Sequence, residues 1–230
     1  MEMSDTSEKI ESISDPGAFK TLGIRVLKKI DQDCRAIILL GQNVAGKPIP
    51  GPIDGFGRVP GSGPSRYVTA AFTTTSVAKL ERKWLSNRAP SSRLKPRVKA
   101  KSGKAKRKRA PRELGDLIKA ARNTGQLRVA EPDAHFIVYL CTHRRLENEL
   151  LKKVLVAAAR LTVEVCFLDQ TMLLDFLDTK PEGQWLRREH LGVAVEQMSI
   201  SLRRAASKAS FTAPHRSFLA LTARESQPAM

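Results

Sequence analysis

Two long, almost wholly apolar runs, separated by one helix-length segment, constrain the fold more than anything else in this chain. They are His135-Phe136-Ile137-Val138-Tyr139-Leu140-Cys141-Thr142 and Thr162 to Leu168. Neither alternates between polar and apolar residues, so each reads as a strand covered on both faces, as strands of parallel sheets are. Between them, Leu150, Leu151, Val154, Leu155 and Ala158 recur at helical spacing, which predicts a helix over Leu146 to Arg160. Two buried strands joined by a helix make a right-handed parallel βαβ unit.

The N-terminal half supplies different elements. Phe19, Leu22, Val26, Leu27 and Ile30 predict a helix over Pro16 to Asp31, with Asp15 placed to cap it and Pro16 in its first turn. Cys34 to Leu40 reads as a short strand, and the Gly/Pro-rich stretch Gly41 to Pro52 as a loop. Ile53 to Val59 and Arg66 to Thr74 read as two strands around a turn at Pro60 to Ser65, and a helix follows from Ser76 to about Asn87. Helix formers resume at Glu113 to Arg122, with a stripe of Leu114, Leu117, Ile118 and Ala121. A short helix is expected at Gln170 to Leu177, and a last one over 193–211. Residues 1–15 and 212–230 are expected to be flexible tails. The fold class is therefore α/β: one domain over residues 16–192 with a mixed central sheet flanked by helices.

Charge points to a polyanionic partner. Forty Lys and Arg against 23 Asp and Glu give a net charge of +17, with a pI of about 10.2. Eleven of the cations are Arg93, Lys95, Arg97, Lys99, Lys101, Lys104, Lys106, Arg107, Lys108, Arg109 and Arg112, with no acid among them. This run has no hydrophobic periodicity, so residues 91–112 read as a disordered basic insert that contacts nucleic acid through its phosphates. A solvated loop on an ordinary domain is the plainer alternative. The three cysteines, Cys34, Cys141 and Cys166, have no CxxC spacing, which disfavours a zinc site or a disulfide framework. The polar, acidic start is no signal peptide, and no apolar run reaches membrane-spanning length. The expected setting is reducing and cytoplasmic, without a membrane partner.

The segment from Pro50 to Leu85 carries the candidate chemistry. Asp54 opens a glycine-rich hairpin in Ile53-Asp54-Gly55-Phe56-Gly57, the strand Tyr67 to Thr75 returns, and Lys79 and Lys83 sit on the next helix. A carboxylate at a strand start can hold Mg²⁺, and a nearby lysine can stabilise developing phosphate charge. Asp-Gly is equally a common hairpin dipeptide. Thr73, Thr74 and Thr75 read as β-formers and a helix cap, and Asp169 as the cap of the helix after it. His143, Arg144 and Arg145 follow the end of a parallel strand, where α/β proteins tend to bind ligands.

Taken together, these residues resemble the restriction-endonuclease-like domains of the PD-(D/E)xK superfamily, in particular the Mrr-like type found in bacterial defence proteins, alone or fused to STAND-type NTPases. The likeness rests on Ile53-Asp54-Gly55, the strand Val68 to Thr75, the strands Phe136 to Thr142 and Val163 to Leu168 with Leu173 to Leu177 after them, and Gly183-Gln184-Trp185-Leu186-Arg187-Arg188. It implies a restriction-endonuclease-like sheet, DNA as partner (double-stranded), and a role in anti-phage defence with an NTPase or another defence protein, or as a homodimer. If the chain cuts, it implies Asp54 as Mg²⁺ ligand and Lys79 or Lys83 as the phosphate-stabilising cation. The family's Glu or Gln, any residue, then Lys is replaced here by Ala71-Phe72-Thr73, and helix one carries Lys20 after Phe19. The alternative is therefore a catalytically inactive module that holds or senses DNA or a defence partner.

Overall fold

The computed structural model describes residues 5–40, 53–61, 63–87 and 114–195. The expected basic insert, the Gly/Pro-rich loop and the expected C-terminal helix and tail lie wholly or almost wholly outside them. The helices are α1 (Asp5–Glu11), α2 (Pro16–Ile30), α3 (Val77–Leu85), α4 (Asp116–Ala130), α5 (Asn148–Arg160), α6 (Gln170–Thr179) and α7 (Pro181–Leu191). The strands are β1 (Ile38–Leu39), β2 (Gly55–Val59), β3 (Arg66–Thr73), β4 (His135–Thr142) and β5 (Glu164–Leu168).

The five strands form one mixed sheet in the order β1-β2-β3-β4-β5. β1, β2 and β3 pair antiparallel, whereas β3–β4 and β4–β5 pair parallel. β3 and β4 align over their whole length, from Arg66 opposite His135 to Thr73 opposite Thr142. Every residue of β4 after His135 is buried, as its unbroken apolar character requires. Helices cover both faces. On one, Phe19, Leu22, Val26 and Leu27 of α2 pack with Leu173, Phe176 and Leu177 of α6 against Val68, Ala70, Ile137 and Tyr139. On the other, Leu80 and Trp84 of α3, Leu117 and Ala120 of α4, and Leu150, Val154 and Ala158 of α5 cover Tyr67, Ala71, Phe136 and Val138. The chain is thus a mixed α/β protein with a helix layer on each side of the sheet.

Local chemistry sets the element ends. The Asp15 carboxylate accepts from the N–H groups of Gly17 and Ala18 and starts α2 with Pro16 at its head. Asp169 accepts from Met172 N–H and starts α6. Gly192, at φ 69°, closes α7 in the left-handed conformation that glycine adopts without strain.

Two expectations are corrected. Cys34 to Leu40 does not form one strand. Asp33 N–H donates to the Asp31 carboxylate, a 3-10 turn follows over Asp33–Ala36, and only Ile38–Leu39 pair with β2. The N-terminal residues are also not all tail. Asp5–Glu11 form α1, with Thr6 and Ile10 buried. Thr6 Oγ1 donates to Asp178 Oδ1 at 2.6 Å, and the Arg187 guanidinium donates to the same oxygen at 2.8 Å. Arg187 is only 1% exposed, so the Gly183–Arg188 segment is a part of α7 that packs through this arginine and ties α7 to α1 and α6.

Candidate functional site

The sheet brings Asp54, Thr73 and His143 to one end, beyond the carboxyl ends of β3 and β4. Asp54 immediately precedes β2, and its backbone is fixed on both sides: Leu40 N–H donates to Asp54 O at 2.7 Å, and Asp54 N–H donates to Ala70 O at 2.9 Å. Asp54 is therefore not in a hairpin turn, which lies between Val59 and Arg66, but at the head of β2 between β1 and β3. Its carboxylate is also engaged. Oδ2 accepts from Phe72 N–H at 2.7 Å, and Oδ1 accepts from the Lys20 ammonium at 3.1 Å. Lys20 projects from α2, is 3% exposed, and donates a second bond to Leu40 O at 2.7 Å. The Asp54 side chain remains about one-third exposed.

This geometry bears on a metal. An ammonium ion within hydrogen-bond distance supplies the positive charge that a divalent cation would bring, and both carboxylate oxygens already have donors. Among the described residues no group of three or more His, Cys, Asp or Glu could hold a metal ion. Within the described residues the Asp54 carboxylate is thus held by protein donors, with Lys20 as its counter-charge.

Lys79 and Lys83 lie on α3, where Lys79 is exposed. Lys83 is instead paired with Asp116 at the head of α4, at 3.3 Å, and Lys119 approaches the same oxygen at 3.7 Å. Asp116 was not singled out in the sequence. It is 6% exposed, and burial holds its carboxyl above the usual range despite the pull of the two lysines. Asp54 is near enough to raise it slightly further. The signal that could have found Asp116 is its place after Gly115, where an acid suits a helix start.

His143 ends up fully buried, with its ring edge-on to Phe19 at 5.4 Å between centroids. Among the described residues neither ring nitrogen has a partner at full hydrogen-bond geometry, although the Thr73 backbone lies close to the ring. Burial, helped by the Arg144 charge, pushes its pKa down to about 4, opposed by the nearby Thr73 backbone and by Glu11. It is a neutral histidine of the core. Thr73 Oγ1 accepts from Thr75 N–H at 3.2 Å, so the threonines turn the chain from β3 into α3.

The eleven cations of the basic run, Arg93 to Arg112, lie outside the described residues, but the two ends of the segment that holds them are fixed. Gly115 N–H donates to Ser86 O at 2.7 Å, joining the start of α4 to the end of α3. A Cβ on Gly115 would lie 2.3 Å from Trp84 O, so only glycine allows this approach. The chain between Asn87 and Leu114 therefore leaves and returns at one point, on the face covered by α3, α4 and α5.

No family model matches the chain, and no curated protein or solved structure is similar to it. Function therefore rests on the residues themselves.

Proposed function

We propose that this protein is a DNA-binding module that holds DNA without cutting it, on an α/β scaffold resembling restriction-endonuclease-like domains. The observation that carries the reading is the Lys20–Asp54 pair. Asp54 is the acid that would hold a catalytic metal, and a buried ammonium already neutralises it. In Ala71-Phe72-Thr73 the strand offers no second carboxylate and no lysine. Affinity comes from the basic run, which attracts phosphate through counterion release and carries no base specificity. A role in defence, alone or with an NTPase partner, rests on the resemblance.

Metal-dependent cleavage is the competing reading, favoured by Asp54 standing at a strand start with its side chain one-third exposed. The test is incubation of supercoiled plasmid with the protein and with Asp54→Ala, with and without Mg²⁺ or Mn²⁺. Intact plasmid, shifted equally by both proteins, is expected. Metal-dependent nicking lost in Asp54→Ala would establish a nuclease instead. Binding should also weaken about a thousandfold between 50 and 200 mM salt, as contact with about six phosphates requires.

A further inference from the structure

Beside the root of the basic run, α4 leaves an open groove of about 270 Å³ against the turn between α5 and β5. Ile118, Ala121 and Leu161 make an apolar floor, Arg122 and Arg128 stand over it, and Asn87 closes the end where the run departs. Among the described residues no carboxylate lines it. Arg128 is held in place: its guanidinium lies 4.9 Å from the centre of the Phe136 ring, and it donates to Thr162 O.

Two features of α4 show that this face lacks a partner within the described residues. Helical spacing puts Ile118, Arg122, Gly125 and Val129 on one stripe. Val129 is 85% exposed. Gly125 sits in the body of the helix, where glycine is the least favourable residue after proline, yet a Cβ added there would meet nothing within 4 Å. Packing among the described residues therefore gives no reason for a glycine at that position, whereas the close approach of a ligand would.

Resting on the DNA-binding reading, we infer that this groove receives an unpaired segment of single-stranded DNA, with a base face on the Ile118–Ala121–Leu161 floor and its phosphate on Arg122. A duplex presents phosphates outward and keeps its base faces stacked inside, so it meets the arginines but leaves the apolar floor unused. A single strand offers both at once, the pairing of apolar face and charged backbone that this groove complements. The occupant is taken as DNA, the partner in the wider reading; the 2′-hydroxyl of RNA could itself accept from the guanidiniums, so the oligo(U) arm of the test tells the two apart.

The test measures fluorescence anisotropy of the full chain with oligo(dT) of about twenty nucleotides, a duplex of the same length, and oligo(U). Gly125→Leu fills the stripe with a better helix former, so its melting temperature should hold or rise. Its affinity for oligo(dT) should fall about tenfold while duplex affinity stays within about twofold. Arg122→Ala should do the same without adding bulk. Lys152→Ala, an equal loss of charge on α5, should change both ligands alike and only slightly. The inference is overturned if oligo(dT) binding ignores Gly125→Leu and Arg122→Ala, if duplex binding falls equally, or if oligo(U) binds as tightly. Steep, salt-dependent duplex binding alongside such a result would leave the wider DNA-binding reading standing. Absence of any salt-dependent binding would remove both.

Discussion

Among single residues, Lys20 and Asp54 are the most consequential pair, because one lies in the interior and the other does not. Removing Asp54 strands an ammonium that is 3% exposed, with Leu40 O its one remaining partner among the described residues. Removing Lys20 leaves a carboxylate that keeps Phe72 N–H and is one-third open to water. The costs should therefore be unequal: about 3–5 kcal/mol for Asp54→Ala against about 1–2 kcal/mol for Lys20→Met, measured by urea denaturation. Pairing Lys20→Met with Asp54→Asn should recover part of the sum, and strict additivity would mean that the two groups do not interact. His143 gives a second residue-scale expectation. Its folded pKa of about 4 lies below the ordinary value of 6.5, so between these values the unfolded chain binds the extra proton. Its contribution is complete above pH 6.5 and drains away as the pH falls towards 4, on the order of 3 kcal/mol in all. His143→Phe keeps the edge contact with Phe19 and should flatten that limb of the stability curve. An unchanged curve in the variant would show that other groups produce the loss.

Elements differ in how far they can be read from the sequence, and the reasons are local. β4 appears over His135–Thr142 as expected, and α5 ends at Arg160 as expected, because a strand with two covered faces and an amphipathic helix carry their periodicity in every residue. β2 was harder, since its two glycines suggest a weak strand. The structure supplies the reason for them. A Cβ on Gly57 would lie 2.2 Å from Ala36 O, and one on Gly55 would lie 2.6 Å from Ile37 Cγ2. The 3-10 turn packs directly onto the strand, a long-range contact that no window of sequence contains. Gly57→Ala should consequently destabilise by about 1–3 kcal/mol, whereas Gly61→Ala, with open space around it, should change little. Chemical denaturation of the two variants side by side checks this. The candidate site was half legible for the same reason. Asp54 stands out beside its glycine, but its partner Lys20 lies 34 positions away on α2 and is visible only once the sheet is assembled.

On the scale of the whole molecule, the bond between Ser86 O and Gly115 N separates two tasks. One point on the α3–α4 face carries the departing and returning chain, so the elements on either side are joined there by a direct backbone bond. Replacing residues 88–113 with a short Gly/Ser linker should leave stability within about 1 kcal/mol, because loop closure varies only slowly with length. The same replacement removes eleven of the seventeen net positive charges, since Arg88 and Glu113 offset each other. Calorimetry and a salt titration of DNA binding on that variant should give a preserved melting temperature and a nearly flat salt response. A collapsed melting temperature would mean that the run is part of the fold. The closed neck also has a consequence for the unity of the chain. Elements α1 to α3 with β1 to β3 lie before it, and α4 to α7 with β4 and β5 lie after it. Each group leaves one edge of the sheet and part of both apolar layers bare, to be filled by the other through eight parallel residue pairs of β3 and β4. A peptide-bond break in the run would therefore leave one particle, and the molecule is in effect two complementary halves, each the mould on which the other sets.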